Sequence, residues 1–258
     1  MEKRKTMTKT LVSRFDKHQI AALPKASFEG RIVVILNEKE AEKAVDYLLS
    51  QPLLGFDTET RPSFTKGRRY KVALLQVSAR DICFLFRLNH IGIPDAILRL
   101  LTDDKVKKVG LSWQDDLNSL YRRKKFQCAP FVELQTYAKE IGIEDMSLQK
   151  LYANVFGQKI SKSQQLSNWE NDVLSEAQKA YAAMDAWACL QLYEELHRLR
   201  LTGDYELEVI PEPDPPIRMP KAAAEDKPKV KKQSTRRNSN KSKTKKKTNV
   251  QKTIPQAG

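Results

Sequence analysis

The chain has 258 residues, 40% of them hydrophobic, and its 46 Lys and Arg against 32 Asp and Glu give a formal net charge of +14. That length holds one domain with appendages or two small domains, and the charge calls for an anionic partner, nucleic acid or an acidic surface. No stretch approaches the ~18 apolar residues of a membrane span. The charged N-terminus is not followed by an apolar run of signal-peptide kind, and Cys83, Cys128 and Cys189 fit neither zinc spacing nor a closed disulfide set. The expectation is a reduced intracellular protein with no membrane partner, cytoplasmic or nucleoid-associated, and nuclear if the source is a eukaryote.

Residues 1–30 read as a leader with one short helix around Ser13–Ala22, ended by Leu23-Pro24. Arg31–Leu36 is a β-branched run and a strand. Lys39–Ser50 carries Ala41, Ala44, Val45, Leu48 and Leu49 at helical spacing, and Pro52 stops it. Leu53–Thr60 is the next strand; Lys71–Ser78 and Ile82–Leu88 form a hairpin around Ala79-Arg80-Asp81. Then come a helix at Pro94–Leu101, a buried strand at Lys107–Leu111, and helices at Gln114–Arg123, Phe131–Ile141, Ser147–Phe156 and Ser175–Leu199. Strands first and helices last predict an α/β domain, a mixed sheet flanked by helices, over residues 31–205. From residue 206 to 258 the chain is Pro-rich and then Lys-rich, too poor in apolar residues to offset chain entropy, and is expected to be disordered. That tail holds most of the basic charge, +11 of the +14 falling between Lys221 and Gly258.

Three acidic signals stand out. Asp57 and Glu59 alternate within an otherwise apolar strand, so they project from one face; such charges are costly to bury unless paired or bound to metal. An exposed strand end would explain them as well. Tyr181 and Asp185 are one helical turn apart, among Ala182, Ala183, Ala186 and Ala188, whose small side chains let a helix lie close to a sheet. Taken alone, this pair also reads as a Tyr in a groove with an Asp at its rim. Asp115 and Asp116 lie in a helix's first turn, where capping and the helix dipole alone favour acids.

Taken in order, these signals resemble the DEDD superfamily of 3′–5′ exonucleases, in its Tyr-containing branch. A strand carries DTE, a later strand-to-helix junction carries GLSWQDD, and a helix carries YAAMD. The likeness runs from about Arg31 to Leu199 and is closest to ribonuclease D and the Werner syndrome exonuclease domain. LSNWE followed by LSEAQKAYAAMDAWACLQLY carries the latter. The resemblance implies a ribonuclease H-like fold and a site of Asp57, Glu59, Asp116, Tyr181 and Asp185. Asp116 is chosen over Asp115 because Gly110 followed six residues later by Asp is the matching register. The four carboxylates would hold two divalent cations.

Two cations ~4 Å apart suit phosphodiester hydrolysis, one acidifying a water and the other stabilising the leaving oxygen. Oxygen ligands without a His or Cys cluster favour Mg²⁺ or Mn²⁺. Tyr181, with an ordinary pKa of about 10, is expected to orient the water and not to deprotonate it. Lys66, Arg68 and Arg69 follow the acidic strand on a loop and are candidates for phosphate contacts. Phe64 and Leu54 are candidates to stack on or wedge beside terminal bases. Trp113, Trp169 and Trp187 read as packing residues. The tail reads as a source of non-specific, salt-dependent affinity, or as the link to a repair or RNA-processing partner. Ribonuclease D carries further helical domains where this chain has a basic tail, so an enzyme acting alone or through a partner is expected. The expected function is removal of nucleotides from single-stranded 3′ ends, with DNA favoured over RNA. The alternatives are ribonuclease D-like processing of RNA ends and a non-catalytic nucleic-acid-binding scaffold.

Overall fold

The computed structural model describes residues 8–211. Nearly all of the stretch expected to be disordered lies outside the described residues.

Six strands form the central sheet. In chain order they are β2 (Arg31–Ile35), β3 (Leu53–Glu59), β4 (Leu74–Ser78), β5 (Ile82–Phe86), β6 (Lys107–Gly110) and β7 (Val132–Glu133), and β1 (Lys9–Val12) lies outside the sheet. Their spatial order is β2-β5-β4-β3-β6-β7. The β3–β4–β5 meander is antiparallel; β2, β6 and β7 are parallel to their neighbours. β3 is therefore central, hydrogen-bonded on both edges, and β4 is buried throughout.

Alternation along β3 divides the molecule into two packing layers. Leu54 and Phe56 face α1 (Glu38–Leu49) and α3 (Asp95–Thr102), joined by Leu75, Val77, Phe84 and Phe86 from the neighbouring strands. α2 (Leu88–Ile91) links β5 to α3, and α4 (Trp113–Tyr121) adds Trp113 and Leu117 to the same core. Trp113 stacks on Phe131 at 4.3 Å between ring centroids, and Phe56 meets both rings edge-on. The other face is covered by α5 (Leu134–Glu140), α6 (Leu148–Phe156) and the long α7 (Glu176–Thr202). α7 begins at a capping box between Ser175 and Gln178 and ends at Gly203 in the left-handed region. It lies hard against β3: a Cβ on Gly55 would collide with the Ala186 carbonyl oxygen, so only Gly fits there.

The mixed sheet flanked by helices is the architecture expected. Three local expectations need correction. The leader is not a helix at Ser13–Ala22. It contains β1 and a single 3₁₀ turn at Gln19–Ala22. β1 pairs in parallel with β8 (Tyr205–Glu208), from Lys9 opposite Tyr205 to Val12 opposite Glu208. The expected disorder from residue 206 therefore does not hold for 206–208. Val132 and Glu133 extend the sheet instead of starting a helix, because Val109 and Gly110 of β6 offer an open edge. No helix of the described residues is long and apolar enough to cross a membrane.

Candidate active site

The site lies where the C-terminal end of β3 meets α7. Gly55 lets α7 approach until Asp185 stands over the carboxylate face of β3. One carboxylate oxygen from each of Asp57, Glu59 and Asp185 comes within 4.8 Å of the others. Tyr181, one turn before Asp185, donates its hydroxyl hydrogen to the Asp185 carboxylate. Its ring lies 5.9 Å from the fully buried Trp169.

Asp116 reaches the group from α4 and is not part of the tight triad. Its Oδ1 accepts a hydrogen bond from Thr58 Oγ1, from the residue between the two β3 acids. Asp115 is exposed to solvent, while Asp116 is half-buried. The turn that delivers Asp116 is unusual. Ser112 sits at φ 57° and ψ 30°, the one non-glycine residue with positive φ among those described. Glu133 holds the turn: its carboxylate accepts from the backbone N–H groups of Ser112 and Trp113, both at 2.9 Å. It thereby caps two orphan donors of α4 and fixes where the first turn of that helix points.

Crowding dominates the electrostatics. Burial, then the charge of Asp185, pushes the Asp57 carboxyl well above the usual range. Burial followed by the charges of Asp57, Asp185 and Asp116 raises Glu59 to about 10. Asp116 rises to about 8, through burial and Asp57, against the opposing Thr58 hydrogen bond. Asp185 rises to about 7 through burial, with the Tyr181 hydrogen bond and Lys162 pulling the other way. The Tyr181 hydroxyl is pushed above its ordinary value by burial and then by Asp185, Glu59 and Asp57. Among the described residues, none of these four carboxylates is in an ion pair. Four acids sharing a site, none of them in an ion pair, fit hard divalent cations, which are bound by oxygen ligands.

A cavity of about 290 Å³ opens onto the group, lined by Asp57, Glu59, Tyr181 and Asp185 and also by Ser161, Lys162 and Gln165. Lys162 is its one basic lining residue. A second cavity of about 250 Å³ is lined by Arg61, Phe64, Tyr70, Leu166 and Asn168. The segment around residues 161–168 contributes to both. It is anchored beyond the cavities by the Gln178 amide, which donates to Ser167 Oγ at 3.0 Å and to the Asn168 carbonyl at 3.2 Å.

Of the expected nucleic-acid contacts, Lys66, Arg68 and Arg69 are exposed on the loop after β3, and Phe64 is 85% exposed. Leu54 is a correction: it is 0% exposed, in the core beneath β3, and cannot wedge beside a base. It lies three residues before Asp57 and so on the opposite face. Sequence reasoning missed Thr58, Glu133, Lys162, Arg61, Tyr70 and Leu166. Arg61 and Arg68 flank the Tyr70 ring at 4.9 and 4.8 Å. Nothing in the local pattern marks Glu133 or Lys162, whose positions come from tertiary packing. Trp113 and Trp169 are buried as expected, whereas Trp187 is only half-buried.

Residues 32–199 match the family described as 3′-5′ exonuclease. The bifunctional 3′-5′ exonuclease/ATP-dependent helicase WRN of Mus musculus is 33% identical over 187 residues, covering 69% of this chain and 13% of that protein. Ribonuclease D of Shewanella sp. (strain ANA-3) is 29% identical over 181 residues, covering 63% of this chain and 46% of that enzyme. The chain thus spans less than half the length of either relative. The Nibbler EXO domain of Aedes aegypti shares the fold, with a TM-score of 0.62 at 19% identity, over 69% of this chain and 93% of that domain.

Proposed function

The chain belongs to the 3′–5′ exonuclease family of the DEDD superfamily, and on that premise we propose that Asp57, Glu59, Asp116 and Asp185 hold two divalent cations, Mg²⁺ or Mn²⁺, for hydrolysis at single-stranded 3′ ends. As a member it is an enzyme, a phosphodiester hydrolase, of a family that uses divalent metals. The observation that carries the reading is the convergence of Asp57, Glu59 and Asp185 within 4.8 Å, with Tyr181 bonded to Asp185. Bound there, the cations would supply an acidified water and charge neutralisation at the phosphodiester.

The remaining work falls to side chains. Thr58 and Glu133 hold Asp116 toward the triad, Thr58 through the carboxylate itself and Glu133 through the start of its helix. The Tyr181 hydroxyl stays protonated, since its surroundings disfavour the phenolate. Its oxygen would accept a hydrogen bond from the attacking water and so orient it, without taking a proton from it. Lys162 lines the same cavity as the carboxylates and its charge acts on Asp185, so it would contact a phosphate bound there. Upstream nucleotides would follow the 161–168 segment toward Phe64, Leu166 and Tyr70, with Arg61, Lys66, Arg68 and Arg69 beside the backbone. The basic residues after 211 would add salt-dependent affinity for longer strands.

We favour DNA over RNA because the likeness to the exonuclease/helicase, at 33% identity, exceeds that to Ribonuclease D, at 29%. RNA is the second reading. In its favour are Ser147, Ser161 and Gln165 in the cavity lining, groups able to hydrogen-bond a 2′-hydroxyl.

The test is a gel assay on 5′-labelled single-stranded DNA and RNA of matched sequence. It compares wild type with Asp57→Ala in Mg²⁺, Mn²⁺ or EDTA. A descending ladder that needs metal and disappears in the variant is expected, faster on DNA. A ladder that survives in Asp57→Ala would sink the assignment of the site, and a faster ladder on RNA would reverse the substrate preference.

A further inference from the structure

β4 is apolar except for Gln76 and Ser78. Gln76 lies at its centre, between Leu75 and Val77, and is 0% exposed. Among the described residues neither its amide nitrogen nor its amide oxygen has a hydrogen-bond partner. The other polar side chain of the strand, Ser78, is satisfied by the Ala79 carbonyl at 2.8 Å. A Leu would pack at position 76 without leaving a buried amide unpaired, so packing does not explain a Gln there.

The register supplies a reason. In the antiparallel pairing of β3 with β4, Gln76 stands directly opposite Asp57. Residues so paired project from the same face of a sheet, with Cβ atoms ~4.5–5.5 Å apart. That face is the one α7 covers and on which Asp185 meets Asp57. A Gln side chain spans such a separation. Its one cross-strand neighbour on the other side, Leu85 of β5, offers no polar side-chain atom.

We propose that Gln76 is a positioning residue for the site: its amide, unpartnered in this structure, donates to the Asp57 carboxylate opposite it when a cation is bound, and fixes the orientation in which that carboxylate holds the cation. The proposal rests on the reading of Asp57 as a metal ligand. An outer partner of this kind selects one rotamer of the ligand and leaves its charge intact, and losing such a partner costs ~10–100-fold in metal affinity or activity.

The experiment compares wild type with Gln76→Met, which keeps length and volume but removes both polar atoms. Three quantities are read on the full chain: Mn²⁺ affinity by calorimetry, thermal midpoint in EDTA, and kcat and KM on a single-stranded oligonucleotide. The midpoint should stay level or rise, because an unpaired buried amide is removed. Mn²⁺ affinity should weaken by ~10–100-fold, with kcat falling alongside it and KM unmoved. Unchanged Mn²⁺ affinity and kcat would overturn the role of Gln76 alone. Absence of Mn²⁺ binding by wild type would instead remove the metal-site reading and this proposal together. Gln76→Leu carries the same comparison if the Met variant fails to fold. Independently of any variant, the side-chain amide protons of Gln76 in the ¹⁵N-labelled wild type should shift when Mg²⁺ is added, and an unmoved resonance counts against the proposal.

Discussion

The two faces of β3 are built from alternate residues of one seven-residue strand, yet they carry opposite burdens. On one face Leu54 and Phe56 are sealed into an apolar layer, Phe56 against Trp113 and Phe131 at 5.4 and 5.0 Å. On the other, Asp57 and Glu59 are crowded against Asp185 with no cationic side chain in an ion pair to relieve them. The first face stabilises the fold, and the second costs stability for as long as its charges are uncompensated. This is why the acids sit on the central strand. Hydrogen bonding on both edges and an apolar opposite face hold the backbone still while like charges push apart.

One pair of variants tests that division most directly. Glu59→Gln should lower activity by more than the ~10–100-fold typical of losing an outer partner, since a ligand itself is lost. It should also raise the thermal midpoint in EDTA, because a repelled carboxylate is gone. Phe56→Ala should do the reverse, costing ~3–5 kcal/mol of stability while the folded fraction keeps its turnover. Calorimetric melting and specific activity per folded molecule separate the two. A Glu59→Gln protein less stable than wild type in EDTA would break the comparison.

The next effect is smaller and concerns pH. The folded-state pKa values of the four acids are raised. The stability tied to a raised carboxyl is fully present below its unfolded value near ~4 and is lost as pH rises through the folded one. For Asp185 and Asp116 those folded values are about 7 and about 8. The metal-free protein should therefore melt at progressively lower temperature from pH 5 to pH 8.5. The expected drop is several degrees, given ~2–4 °C per kcal/mol for a domain of this size. Mg²⁺ or Mn²⁺ should restore most of it, and more at the alkaline end, by binding only the folded state. A midpoint in EDTA that is flat or rises over this interval contradicts the electrostatic account.

How much of this could be read beforehand depends on whether a residue's position is set locally or by distant chain. The shared face of Asp57 and Glu59 follows from a period of two, and that of Tyr181 and Asp185 from a helical turn. The same period of two, carried back to residue 54, places Leu54 in the core and away from the nucleic acid. Choosing Asp116 over Asp115 needed the family register, since helix-start chemistry favours both. Glu133 and Gln76 had no local mark. Each acts across strands, on Ser112 and opposite Asp57 respectively, and a pairing register is not visible along the chain. The pairing of β1 with β8 was hidden for the same reason, joining Lys9 to Tyr205 across the length of the domain.

The smallest expected effect belongs to Tyr181, which stands beside the four acids and is not a ligand. Its hydroxyl donates to Asp185, and burial beside three carboxylates keeps it protonated at neutral pH. If it orients water, Tyr181→Phe removes one hydrogen bond to a charged group, ~1.5–3 kcal/mol, and kcat should fall about tenfold to a hundredfold. Mn²⁺ affinity should be nearly unchanged, because no ligand is lost. The pH–rate profile should keep its shape in the variant, only lowered. A general base would leave a different signature, since its removal would erase a limb of that profile. Loss of the limb would reassign Tyr181 to proton transfer, whereas wild-type activity in the Phe variant would show that its hydroxyl takes no part in the reaction.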